Sequence, residues 1–193
     1  EVTMILPSDT TTLAPFEGSN GGRAYTLPTF YEYLGIMDVR GEDVTLVLAK
    51  ELRKVEPLVY DVEIYNYIYD TAGNHITADD IAWCYNTCMS KSSFESLIDI
   101  DKIEAIDDYT VRINLKNETM GVITKVLQGV PIVSEKAFSE SPDGMVSEPI
   151  GTTGYICTDF TAGSGFTCEF KGTWQKDSDL ICNTYGRNVK RIN

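Results

Sequence analysis

The stretch "LVYDVEIYNYIYDTAGNHITADDIAWCYN", residues 58–86, changes its hydrophobic period partway along. Leu58, Tyr60, Val62 and Ile64 alternate with Val59, Asp61, Glu63 and Tyr65. A period of two is that of a half-buried strand. After the turn-like "DTAGN" the pattern shifts: Ile81, Cys84, Tyr85 and Cys88 recur at i, i+3, i+4 and i+7, one apolar stripe on a helix. Thr77 supplies the hydroxyl of an N-cap, and Asp79 and Asp80 fall in the first turn, where carboxylates meet unpaired N–H groups and the positive end of the helix dipole. Asp80, at the third helical position, can reach back to the Thr77 N–H as in a capping box. A strand, a turn and a capped helix in one run predict a mixed α/β or α+β domain.

Working outward, "YTVRINLKN" repeats the strand pattern, with Tyr109, Val111, Ile113 and Leu115 opposed by Thr110, Arg112, Asn114 and Lys116 after a turn at Asp107-Asp108. "VTMIL" near the start reads as a short buried strand closed by Pro7-Ser8-Asp9. "PTFYEYLGIM" predicts a helix opened by Pro28, with Gly35 near its end. "VTLVLAKELRKV" fits strand and helix equally. "GVITKVLQGV" predicts a helix ending at Gly129, and "SESPDGMVSEP" is the most loop-like stretch. "YICTDF" and "FTCEFKG" flank "TAGSG", a hairpin pattern. If the turn is centred between Ala162 and Gly163, Cys157 lies opposite Cys168, and opposed Cα atoms of a non-hydrogen-bonded pair, about 4.5 Å apart, are within disulfide reach.

Composition narrows the function. The 193 residues carry 29 acidic against 16 basic side chains, a formal charge of −13, which leaves little for a broad phosphate-binding face and excludes nucleic acid as a partner. No apolar run reaches the roughly 18 residues that cross a bilayer. Five cysteines are too few for a disulfide-dense scaffold. A metal reading of His75, Cys84 and Cys88 lacks a fourth ligand nearby, and the stripe places both cysteines in the core. His75 reads as a solvated loop side chain. Any histidine-based hydrolase would depend on that one residue, and "GSNGGR" and "GTTGY" lack the lysine of a phosphate loop and the spacing of a dinucleotide fingerprint.

Five segments, taken in order, resemble the N-terminal part of the family 5 extracellular solute-binding proteins, receptors of ABC importers for oligopeptides, dipeptides and nickel. "LPSDTTTLAPFEG" is similar to the opening strand and turn and "FYEYLGIMD" to the helix that follows. "LVYDVEIYNYIYDTAGNHITADDIAWCYN" is similar to a strand, turn and helix marked by Thr77, Ala78, Asp79 and Asp80. "IEAIDDYTVRINLKN" and "PIGTTGYICTDF" are similar to the next two landmarks. Where the family often has Gly-Thr-Gly-Pro-Tyr, this chain has Gly151-Thr152-Thr153-Gly154-Tyr155, so Thr153 stands in place of a glycine that a positive φ would favour. Phe160 stands where a tryptophan is usual.

The resemblance implies a periplasmic-binding-protein-like lobe, the N-terminal part of a two-lobe fold with the second lobe absent. Residues 1–43 and 148–193 would form part of the main domain of the first lobe, and 44–147 an inserted subdomain. It implies a non-enzymatic substrate-binding subunit, without a cofactor, that captures oligopeptides or dipeptides by lobe closure. It further implies partnership with ABC permease subunits, a monomeric state, and an extracellular or periplasmic place as a membrane-tethered lipoprotein. Ligand contacts would come from Glu17, Gly18, Ser19 and Asn20, and from Phe94. The same residues have plain readings, a surface turn for the first four and a core or surface aromatic for Phe94. A hydrolase domain sharing local patterns, or an interaction module on the same scaffold, stays open beside the receptor.

Overall fold

A computed structural model describes residues 1–6, 9–17, 23–37, 44–117, 119, 121–172, 174 and 189–193. By contacts the chain divides into two compact units. Unit 1 is Glu1–Tyr31, Ile68–His75 and Val133–Asn193, and unit 2 is Glu32–Tyr67 and Ile76–Ile132. Both are mixed α/β, with antiparallel pairing between all named strands.

Unit 2 is built on a four-stranded sheet in the order β3-β4-β6-β5, from β3 (Ala49–Glu56), β4 (Val59–Ile64), β5 (Ile100–Asp107) and β6 (Thr110–Leu115). The alternating segments become the two central strands, and Tyr60, Val62, Ile64, Val111, Ile113 and Leu115 are all buried. Helix α2 (Ala78–Met89) lies against β5 and β6, with Ile81, Cys84, Tyr85 and Cys88 fully buried. Its start follows the capping chemistry: Asp80 Oδ2 accepts from the Thr77 N–H at 2.9 Å and from the Thr77 hydroxyl at 3.1 Å. The Tyr85 hydroxyl donates to the Val126 carbonyl at 2.7 Å, tying α2 to helix α3 (Val122–Leu127). The ambiguous "VTLVLAKELRKV" resolves as two strands, β2 (Val44–Leu46) and β3, and β2 pairs with β1 (Gly35–Met37).

The polar face of the large sheet carries a row of alternating charge, because the register places Arg53 beside Asp61, Asp61 beside Arg112 and Arg112 beside Glu104. Asp61 is buried, and Arg112 holds it in a fork, Nε to Oδ1 at 2.7 Å and Nη2 to Oδ2 at 2.9 Å. That hydrogen-bonded guanidinium keeps the Asp61 carboxyl below its ordinary pKa.

Unit 1 contains helix α1 (Arg23–Phe30), helix α4 (Glu135–Glu140), and the sheet β7-β8-β9, from β7 (Tyr155–Thr161), β8 (Gly165–Phe170) and β9 (Arg191–Ile192). The predicted helix from Pro28 to Gly35 is instead α1, which has Pro28 inside its last turn and stops at Phe30, while Gly35 begins β1. The "VTMIL" run is not buried: Val2 forms a lone bridge to Ile192, and Val2, Met4 and Ile5 are 43, 46 and 96% exposed. Among the described residues its backbone bonds run toward β9 and the residue after it, from the Val2 N–H to Arg191 O and from the Met4 N–H to Asn193 O.

Candidate ligand-binding surface

The segment leading to Glu17 is fixed from several sides within unit 1. The Leu13 N–H donates to the Val146 carbonyl, the Tyr31 hydroxyl donates to the Leu13 carbonyl at 2.9 Å, and the Thr12 hydroxyl accepts from the Ala14 N–H. Leu13, Ala14 and Phe16 are buried, and the Phe16 ring sits 5.1 Å from that of Phe138. Apolar anchors on both sides of Pro15 thus hold a turn whose next residue, Glu17, is exposed. Gly18, Ser19 and Asn20 lie outside the described residues.

The loop that fastens this turn is itself ordered by one carboxylate. Asp143 accepts from the Ser147 N–H and hydroxyl, from the Val146 N–H and from the Ser141 hydroxyl, which lowers its pKa. Met145, in the left-handed region at φ 64°, is fully buried below it. "SESPDGMVSEP" is therefore a pinned loop that carries a core residue.

A groove of about 320 Å³ opens in unit 1, lined among others by Met4, Ile5, Thr10, Thr29, Phe166 and Asn193. Thr10 is 2% exposed, and its hydroxyl has no hydrogen-bond partner among the described residues. A buried hydroxyl left unbonded costs about 1–3 kcal/mol. The groove thus combines apolar and polar walls with a buried hydroxyl that is unbonded among the described residues, a pattern suited to a small ligand or an inserted segment.

Phe94 belongs to unit 2, where it is 9% exposed and precedes the short 3-10 turn Glu95–Leu97. Glu17 and Phe94 are therefore residues of different units. Cys157 and Cys168 are brought together: they are register partners in the β7–β8 hairpin, and both are free thiols. The route to that pairing differs from the expected one. Thr161 pairs with Gly165, Phe160 with Phe166 and Asp159 with Thr167, so the turn is centred on Gly163, and a bulge at Thr158 then sets Cys157 against Cys168.

The remaining reactive side chains have structural surroundings. His75 is not a free loop side chain: it bridges to Tyr69, and the two rings stack at 4.9 Å. Burial pushes the Cys88 thiol up to about 12, so it is protonated at neutral pH and unsuited to nucleophilic attack. No group of three His, Cys, Asp or Glu side chains is placed to hold a metal among the described residues.

Thr153 shows why a glycine is dispensable at its position. Among the described non-glycine residues only Leu58 and Met145 have positive φ, and the left-handed residue in this turn is Gly154, at φ 86°. The Thr153 hydroxyl donates to the Thr29 carbonyl at 2.6 Å, securing the turn to the end of α1. Gly151 is the constrained one, since a Cβ there would collide with the Phe30 carbonyl.

Comparisons with known proteins agree with this architecture. The oligopeptide-binding protein AppA of Bacillus subtilis, solved with a nonapeptide, is 21% identical, and the match covers 88% of this chain and 35% of that one at a TM-score of 0.75. MoaA of A. tumefaciens R10, solved with mannopinic acid, is 19% identical over 99% of this chain and 39% of that one, with a TM-score of 0.78. A nickel ABC transporter protein of Bacillus halodurans is 18% identical, covering 99% and 37% at 0.75. Identities this low carry the fold alone, and the chain spans little more than a third of each relative's length. No curated relative matches the sequence. Residues 58–179, more than half of the chain, match the family model for the bacterial extracellular solute-binding proteins, family 5, middle region. The chain therefore belongs to family 5 of the bacterial extracellular solute-binding proteins.

Proposed function

We propose that this chain forms part of the first lobe of an ABC importer's substrate-binding subunit, which captures oligopeptides or dipeptides outside the cell and does no chemistry on them. The observation that carries the reading is the family match across 58–179, joined to a fold shared with AppA, which was solved holding a nonapeptide. In the whole protein a second lobe closes over the ligand, and differential affinity for the closed state drives the closure. We assign 1–43 and 148–193 to the main domain of the first lobe and 44–147 to its inserted subdomain.

The contact segment is Glu17, Gly18, Ser19 and Asn20, which follow the pinned turn and offer backbone groups to an extended peptide. Backbone pairing gives affinity without demanding particular side chains. Phe94, mostly buried, contributes a ring edge. The whole protein partners ABC permease subunits, works as a monomer and is tethered to the membrane as a lipoprotein. No helix among the described residues is long and apolar enough to cross a membrane by itself.

The test is a thermal-shift screen of the complete gene product against peptides of two to nine residues, mannopinic acid and nickel chelates. Peptides alone should raise Tm, since a ligand binding only the native state stabilises it by mass action. A shift with nickel or mannopinic acid alone would overturn the peptide assignment, and a shift with none of them would overturn the receptor assignment.

A further inference from the structure

We propose that Cys157 and Cys168 form a disulfide bridge across the β7–β8 hairpin when the protein meets a disulfide oxidant. The Phe170 N–H donates to the Lys190 carbonyl, on the β9 side of β8, and the Lys171 N–H donates to Gly154 on the β7 side. N–H directions alternate along a strand, so the Cys168 N–H, two residues from Phe170, also points toward β9. Cys157 and Cys168 are thus a non-hydrogen-bonded pair. Such pairs have Cα atoms about 4.5 Å apart and side chains on one face, inside the range a disulfide spans.

The bulge strengthens the inference. Without it the register from Thr161–Gly165 to Asp159–Thr167 would continue as Thr158 opposite Cys168. The extra residue at Thr158 replaces that threonine with a second thiol. Cys157 is half-buried and Cys168 fully buried, so an external oxidant reaches Cys157 first. The Cys157 thiolate attacks glutathione disulfide, forming a mixed disulfide and releasing one glutathione thiolate. The Cys168 thiolate then attacks the Cys157 sulfur and expels the second glutathione. In sum the protein gives up two protons and two electrons, and one glutathione disulfide becomes two glutathiones. Burial raises both thiols, Cys168 to about 12, so bridge formation speeds up as pH rises through the alkaline range.

The proposal rests on the hairpin alone and is tested in vitro, apart from the receptor assignment. The 193-residue chain is equilibrated with glutathione disulfide at about pH 8.5, alkylated, digested and analysed by mass spectrometry. The expected result is a Cys157–Cys168 linked peptide that persists in Cys182→Ser and disappears in Cys157→Ser. The bridged form should melt about 5 °C or more above the reduced form. Alkylation of both Cys157 and Cys168 after equilibration, a Cys157–Cys182 link, or a bridge that lowers Tm would overturn the proposal. Cys157→Ser, at a half-exposed position, serves as the control because Cys168 sits in the core.

Discussion

Val2–Leu6, a short apolar run, and Val59–Ile64, an alternating one, both read as strands, and the fold treats them oppositely. The second is flanked by β3 and β6, so both edges are hydrogen-bonded and Tyr60, Val62 and Ile64 are buried. The first, among the described residues, is bonded only toward β9 and leaves Ile5 almost wholly in solvent. An apolar run states a preference for burial, whereas burial itself needs a neighbouring surface on each side. A run with one bonded edge and exposed apolar side chains is a surface suited to a further strand or segment.

This contrast can be broken by denaturant unfolding of single variants. Ile113→Ala, at a fully buried position of β6, should cost about 2–5 kcal/mol through lost burial and the cavity left behind. Asp61→Asn should cost less, about 1–3 kcal/mol, because it unpairs a fork whose aspartate is buried but whose arginine is partly in water. The pH dependence fixes its sign. A carboxyl whose folded pKa lies below the unfolded value binds fewer protons when folded, so its stabilisation is full above about pH 3.9 and is lost as pH falls through the folded pKa. Asp61→Asn should therefore flatten the acid limb of the stability curve and leave the neutral region parallel to the parent.

Asp80→Ala should cost about 1 kcal/mol, the size of a helix cap, and should fray the start of α2 in hydrogen exchange. Ile5→Ala should change stability by about 0.5 kcal/mol or less, as for an exposed side chain. An Ile5→Ala cost equal to that of Ile113→Ala would end the contrast drawn between Val2–Leu6 and the central strands of the four-stranded sheet.

Much of unit 2 was legible because its signals are local. Alternation in β4 and β6 and the capped stripe of α2 each state a periodicity within one segment. Elsewhere tertiary context decided the outcome. Pro28 reads as a helix opener, yet it sits inside α1, which starts upstream at Arg23 and ends two residues after it, so the N–H bond that would have run back to Ala24 is missing from the last turn. Helix α4 is too short to show a stripe, although Ser134, whose hydroxyl accepts from the Ala137 N–H, carries the cap signal that could have found it. In the hairpin, the cysteine pairing followed from a turn centre that is off by half a residue, and the Thr158 bulge made up the difference.

The candidate site was less legible than the fold. A glycine-rich polar turn such as "FEGSN" has no physical signature of ligand contact, so Glu17 to Asn20 stand out only through resemblance. The groove lined by Thr10 joins the start of the chain, α1 and the β7–β8 turn, and no single segment could show it. The buried Thr10 hydroxyl, unbonded among the described residues, is visible only once the fold closes around it.

The most direct test of the central claim, that this chain holds one side of a two-lobed peptide clamp, is calorimetric titration of the 193-residue protein with mixed oligopeptides. With one lobe's contacts alone, binding should be absent or weaker than about 100 μM, and it should tighten when the complete gene product is titrated. A Kd near 1 μM for the 193-residue chain, about −8 kcal/mol, would contradict the account by showing a site that needs no second jaw.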